Sequence, residues 1–236
     1  MRLCCVTTDP VIHPERLASF VYGNVKDPDV YVNAPNIGVV PAMQILYERN
    51  QDEDILAFVH SDVTVYDSNW NSRVMAEFDD PKVAVVGFGG ATGIGVSDIY
   101  KTRYEISQLQ RIGYASNMRD WEVHGGYEAG SKDVAVCDGF FLAIRRAALK
   151  EIGGWSGFTF NFHMYDAYIS LALAERGWKT RMVGIECEHH GGGTSTTPSY
   201  ISWCRENGTT AEREHEEPHR FFYERFRNLL PYRVNQ

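Results

Sequence analysis

Apolar positions between Leu3 and Phe88 fall in two rhythms, short unbroken runs and stretches with helical three-to-four spacing. Strand-length runs at Leu3 to Thr7, Val30 to Val32, Ile55 to Val59 and Val83 to Phe88 alternate with helical segments at Glu15 to Tyr22, Val39 to Arg49 and Trp70 to Phe78. Strand and helix in turn predict a mostly parallel sheet flanked by helices. Ile55-Leu56-Ala57-Phe58-Val59 is apolar at every position, the pattern of a central strand covered on both faces. Whatever follows such a strand stands at the carboxyl edge of the sheet, where open α/β sheets bind their ligands.

From Gly89 to Lys132 the periodicity weakens in a stretch rich in Gly, Tyr, Arg and Asn, which predicts loops with one helix near Tyr104 to Arg111. Regularity returns with a strand over Val134 to Ile144 and a short helix around Arg146 to Ile152, closed by Gly153-Gly154. A helix from Tyr165 to Arg176, stopped by Gly177, and a strand over Lys179 to Cys187 follow. Beyond Pro198, the aromatic residues Phe221, Phe222, Tyr223 and Phe226 stand among charges and predict an amphipathic helix lying back on the domain. No repeat or long linker divides the chain, so the expected organisation is one α/β domain over residues 1–198 with a helical tail over 199–236 packed on it.

A chain of 236 residues, 44% hydrophobic, is large enough to bury the core of such a domain. Acidic residues outnumber basic ones 31 to 23, a net charge of −8, so the surface repels polyphosphate and bulk binding of nucleic acid is not expected. The apolar run after Arg2 is too short for a signal peptide, and no stretch approaches transmembrane length. A soluble, cytoplasmic protein is therefore expected. Cys4, Cys5, Cys137, Cys187 and Cys204 form no C-x-x-C pair and read as reduced, mostly buried thiols.

Candidate chemistry begins at the end of the buried strand, with His60-Ser61-Asp62-Val63. A histidine and a carboxylate two residues apart at a carboxyl edge point to a metal site; alternatively, Asp62 caps a turn and His60 merely ends the strand. Glu188-His189-His190-Gly191-Gly192-Gly193-Thr194 marks a second such edge. An imidazole from it would complete a His, Asp, His set suited to manganese or another divalent ion with mixed N and O ligands, although a surface turn explains the same residues. Gly191 to Gly193, followed by Thr194, Ser195 and Thr196, would let backbone amides approach a phosphate or form a lid. Asp166 falls in the first turn of a helix, whose dipole favours the anion; a base and a helix-end carboxylate both fit there. Asp138 follows the apolar run Val134 to Cys137 and precedes Gly139, and an unpaired buried carboxylate costs on the order of several kcal/mol. It is expected to face a polar ligand or a cluster of donors.

The order of these segments resembles the GT-A-type glycosyltransferases, close to the inverting family 2 and to small members in which the Asp-x-Asp metal motif reads His-x-Asp. The matching segments are Ile55 to Val63, Val136 to Arg146 with Asp138-Gly139 inside it, Glu151-Ile152-Gly153-Gly154-Trp155, Tyr165-Asp166-Ala167-Tyr168 with Gly177-Trp178, and His189-His190. Together they run through residues 1 to about 196 in the family's order. Two departures stand out: the family's acidic pair is here Tyr165-Asp166, and the next acidic position is Tyr168, which leaves Asp166 alone as base.

The resemblance implies a single GT-A domain and transfer of a sugar from a nucleoside-diphosphate sugar to an acceptor hydroxyl, with inversion. Asp62 and His60 would hold a divalent metal, Mn2+ in preference to Mg2+, with His189 or His190 as third ligand. Thr7, Thr8, Asp9 and Asn33 or Asn36 would lie near the nucleotide, Ser61 and Trp155 would line the donor and acceptor site, Asp138 and Gly139 its acceptor side, and Asp166 would be the general base. Two other readings remain. A non-catalytic sugar-nucleotide-binding relative would have lost its base, whereas Asp166 is present. Non-haem iron oxygenases also use His-x-Asp with a distant histidine, but on a β-sandwich, and here strands alternate with helices. The glycosyltransferase reading makes a demanding claim, that His60, Asp62, Asp138, Asp166 and the 189–190 pair converge on one cleft.

Overall fold

The computed structural model describes residues 1–8, 14–21, 28–95, 110–116, 126–190 and 197–234. In chain order the elements are β1 (Arg2–Thr7), α1 (Pro14–Val21), β2 (Asp29–Val32), α2 (Val39–Arg49), β3 (Ile55–His60), β4 (Val63–Val65), α3 (Trp70–Glu77), β5 (Val83–Gly87) and β6 (Gly89–Gly95). Then come β7 (Gln110–Ser116), β8 (Gly126–Tyr127), β9 (Ser131–Val134), β10 (Val136–Cys137), β11 (Phe141–Arg145), α4 (Arg146–Glu151) and a 3-10 turn at Trp155–Gly157. The chain closes with α5 (Tyr165–Ala174), β12 (Lys179–Val183), β13 (Cys187–His189), α6 (Pro198–Glu206), α7 (Ala211–Phe226) and β14 (Tyr232–Arg233).

Seven strands form the central sheet in the order β2-β1-β3-β11-β5-β12-β9. β1 runs parallel to β2 and β3, and β5 parallel to β12, while β11 and the edge strand β9 are antiparallel to their neighbours. The sheet is thus mostly parallel, as the alternation of strands and helices predicts. Along β3 the side chains alternate between faces. Ile55, Ala57 and Val59 pack with Leu17 and Phe20 of α1 and Trp70 and Val74 of α3. Leu56 and Phe58 pack on the other face with Met43 and Leu46 of α2, Leu149 of α4, Leu171 of α5 and Phe222 and Phe226 of α7. His60 follows Phe58 onto this second face.

Several sequence-based expectations are corrected. Gly89–Gly95 is a strand, paired with β7, β10 and β14 in a second sheet, and Gln110 and Arg111 lie in β7 instead of a helix. The rest of the expected helix lies outside the described residues. A Gly-rich strand has little intrinsic β preference, but here the glycine is required by close packing: a Cβ on Gly90 would sit 2.8 Å from the Val136 carbonyl oxygen. The single strand expected over Val134 to Ile144 is three strands, because the chain pairs with β12, crosses to β6, and turns at Asp138-Gly139-Phe140 before entering the central sheet as β11. Lys179 to Cys187 likewise divides into β12 and β13. The tail holds two helices, separated at Gly208, whose φ of +66° suits only glycine well.

Trp155 is fully buried, edge-on to Phe58 at 4.8 Å and to Tyr165 at 5.8 Å between ring centroids. Its indole N–H has no hydrogen-bond partner among the described residues. Packing alone therefore sets its contribution. Trp155→Ala is expected to cost about 3–5 kcal/mol and Trp155→Phe about half that or less, read from the urea midpoint at constant m-value.

Candidate functional site

Strand pairing brings the candidate residues to one edge. Val6 of β1 lies opposite His60 of β3, so Thr7 and Thr8 emerge beside Ser61 and Asp62. β11 enters the sheet from the same edge, with Phe141 opposite Val59 and the His60 N–H donating to the Phe140 carbonyl at 3.0 Å, which sets Asp138 and Gly139 against His60. Across the opening, Met164 adopts a left-handed backbone with φ of 67°, a conformation that strains a non-glycine residue, and α5 starts directly after it with Tyr165 and Asp166. Thr7, Thr8, Asn33, Asn36, His60, Ser61, Asp62, Asp138, Gly139 and Asp166 all line one cleft of about 540 Å³.

β4 and β13 pair antiparallel with Val63 opposite His189 and Val65 opposite Cys187. Period-two alternation then puts Val63, Val65, Cys187 and His189 on one side of the ribbon and Thr64, Tyr66, Glu188 and His190 on the other. The bonds agree. His189 Nε2 reaches Asp62 Oδ1 at 3.3 Å, whereas His190 Nε2 is 3.0 Å from Thr64 Oγ1, its Nδ1 is 3.5 Å from Glu188, and only its backbone N–H meets Asp62, at the carbonyl oxygen. His60, Asp62 and His189 present ligand atoms within 4.8 Å of one another, and His190 is not part of that cluster. Burial pushes the His60 imidazole below its ordinary pKa, against the pull of Asp62. Burial also raises the Asp62 carboxyl, but the hydrogen bond and charge of His189, the charge of His60 and a backbone bond outweigh it and hold the group below the ordinary carboxylate range. One carboxylate and two imidazoles suit a divalent ion that accepts mixed N and O ligands.

Asp166 is buried, 8% exposed, and faces the cleft. Its Oδ2 accepts the Gly139 N–H at 3.1 Å and its Oδ1 the Ala167 N–H at 2.8 Å, an anchorage that orients the carboxylate. Tyr165, in the position where the resemblance leads one to expect an acid, places its hydroxyl 2.8 Å from His60 Nε2 and 3.4 Å from the Gly139 carbonyl oxygen. Gly139 has to be a glycine here, since a Cβ would lie 2.5 Å from the phenolic oxygen.

No family model and no curated protein matches the chain by sequence. Among solved structures, GalNAc-T7 with UDP, GalNAc and Mn2+ superposes on 97% of the chain at TM-score 0.53 and 13% identity. The mannosyltransferase PcManGT from Pyrobaculum calidifontis, in complex with GDP-Man and Mn2+, superposes on 96% at TM-score 0.52 and 11% identity. The fold is GT-A. The chain spans about half of GalNAc-T7, 51%, and 74% of PcManGT.

Not every expected residue faces the cleft of this GT-A fold. Trp155 belongs to the core, because Phe58 and Tyr165 enclose it. Asn33 lines the cleft, yet its amide closes the loop before α2: Nδ2 donates to Asn36 Oδ1 and the Gly38 carbonyl, and Oδ1 accepts the Ile37 N–H. Asp9 and the glycine loop at 191–196 lie outside the described residues. Sequence reading also missed a wall of the cleft, made by Phe162, His163, Tyr200 and His219. His219 stands with Phe222 and Phe226 on the buried stripe of α7, a helical spacing that signals its inward direction. Nothing comparable marks His163, which precedes its helix.

His163 Nε2 is 3.0 Å from the Tyr200 hydroxyl, and its ring lies 5.3 Å from that of His215, itself 4.3 Å from His219. Burial first, then the neighbouring His215 and His219, push the His163 pKa from 6.5 down to about 4. The native state thus resists a proton that the unfolded chain accepts. Stability from the neutral ring is complete above pH 6.5 and is lost as pH falls toward 4. We expect unfolding free energy to drop in that window by on the order of 2–3 kcal/mol, and His163→Gln to flatten the drop, as measured by denaturant titrations across pH.

Proposed function

We propose that this chain is a metal-dependent glycosyltransferase that moves a sugar from a nucleoside-diphosphate sugar to an acceptor hydroxyl with inversion. The observation that supports this most is that the His60, Asp62 and His189 cluster and Asp166 stand together at the carboxyl edge of a GT-A sheet. Two glycosyltransferases of that fold hold Mn2+ with UDP or GDP-Man in their structures. Two imidazoles in the ligand set favour Mn2+ over Mg2+, which prefers oxygen. No helix among the described residues is long and apolar enough to cross a membrane, and five buried cysteines that form no disulfide fit a reducing, cytoplasmic setting. The iron oxygenase alternative is set aside, because it rests on a β-sandwich.

His60, Asp62 and His189 would hold the divalent ion. When bound, that ion supplies positive charge against the diphosphate as it leaves. Thr7, Thr8 and Asn36 stand at the end of the cleft where the nucleotide is read to lie. Asp166, anchored by the Gly139 and Ala167 amides, takes the proton of the acceptor hydroxyl as its oxygen forms a bond to the anomeric carbon. The bond from that carbon to the diphosphate oxygen breaks on the opposite face, and its electron pair leaves with the nucleoside diphosphate. Asp138 and Gly139 border the acceptor's approach.

Uridine or guanosine diphosphate with Mn2+ is expected to raise the melting temperature more than either alone, and Asp62→Ala to abolish that synergy; full synergy in the variant contradicts the metal assignment. Asp166→Asn keeps volume but cannot take a proton. With a donor and acceptor pair in hand, it is expected to leave nucleotide affinity nearly intact and to lower turnover by roughly 10²–10⁴. A fall in melting point with undiminished turnover would make Asp166 structural.

A further inference from the structure

We propose that Tyr165 is a positioning residue that selects the proton arrangement of His60 for metal binding. This inference rests on the metal-centre reading above and goes beyond it. His60 stands on the face of β3 beneath Tyr165, and its Nε2 lies 2.8 Å from the phenolic oxygen. A phenol has one proton to give. If Tyr165 donates to Nε2, His60 carries its own proton on Nδ1 and has no lone pair left for a cation. If Tyr165 donates instead to the Gly139 carbonyl, 3.4 Å away, it accepts the proton of Nε2, and Nδ1 is left with its lone pair. A carbonyl oxygen can only accept, so its place beside the hydroxyl favours the second arrangement. Imidazoles that bind metals usually donate their other N–H to such a partner.

The phenol is well placed for this task. Tyr165 is 7% exposed, the edge of Trp155 holds its ring at 5.8 Å, and a bare Gly139 makes room for the oxygen. Asp62 and His189 bond each other, and His60 has its hydrogen bond with Tyr165, a residue outside the cluster. Tyr165 therefore acts through His60 without touching the ion.

Affinity for Mn2+ alone can be followed by the electron paramagnetic resonance of free Mn2+ in wild type, Tyr165→Phe, His60→Ala and the double variant. Tyr165→Phe is expected to weaken binding about 10–100-fold in the wild-type background and less than about threefold when His60 is already Ala, since the two act as a unit. Wild-type affinity in Tyr165→Phe, or an equal loss in both backgrounds, overturns the proposal. Asp62→Ala separates the two levels: unchanged affinity there means that the metal-centre reading itself has failed. Should Tyr165→Phe not fold, the nitrogen-15 spectrum of the histidines in metal-free wild type decides, with the His60 signals identified by their loss in His60→Ala. A proton on Nε2 is expected, and a proton on Nδ1 overturns the proposal.

Discussion

Pairing between two three-residue strands, β4 and β13, is the constraint on which the site depends. It ties the segment after β3 to the segment after β12, at opposite reaches of the sequence, and its register decides which histidine meets Asp62. A shift of β13 by one residue would exchange His190 for His189 on the side of Asp62 and turn the His189 imidazole out toward Thr64. The ribbon holds its register because Val63, Val65 and Cys187 are buried on the side that His189 shares, so a slip would expose them. Hydrophobic burial thus fixes the position of a polar group.

A second constraint comes from β11. As an antiparallel strand between two parallel ones, it has to begin where β3 ends, and the turn before it carries Asp138 and Gly139 to His60. The Gly139 amide then anchors Asp166, and its missing side chain admits the Tyr165 hydroxyl. The backbone of one turn therefore connects the candidate base to the candidate metal cluster. The left-handed Met164 just before α5 is a strained point in the same arrangement, at the position that aims Tyr165 and Asp166 inward.

Much of this was legible in the sequence because it follows from local rules. The unbroken apolar run Ile55 to Val59 announced a central strand, and helix ends at Gly153-Gly154 and Gly177 carried glycines that the structure uses at positive φ. His60, Asp62, Asp138 and Asp166 were legible as a set, because each stands at a strand end or first helical turn that topology brings to one edge. The choice between His189 and His190 was not, since parity depends on a pairing partner more than a hundred residues away. The strand at Gly89–Gly95 was hidden because its glycines answer to tertiary approach, against their own propensity. Trp155 read as a site residue from the resemblance, while its neighbours Phe58 and Tyr165 make it core.

The central claim is that His60, Asp62 and His189 form the metal centre and that the diphosphate of a sugar nucleotide lies against it. Crystals grown with Mn2+ and uridine diphosphate and measured by anomalous scattering at the manganese edge test this most directly. The account predicts one strong peak bounded by His60, Asp62 and His189, in contact with the diphosphate, with the His190 ring turned away. A peak on the Glu188 and His190 side of the ribbon, or a diphosphate bound in the cleft with no manganese beside Asp62, would contradict it.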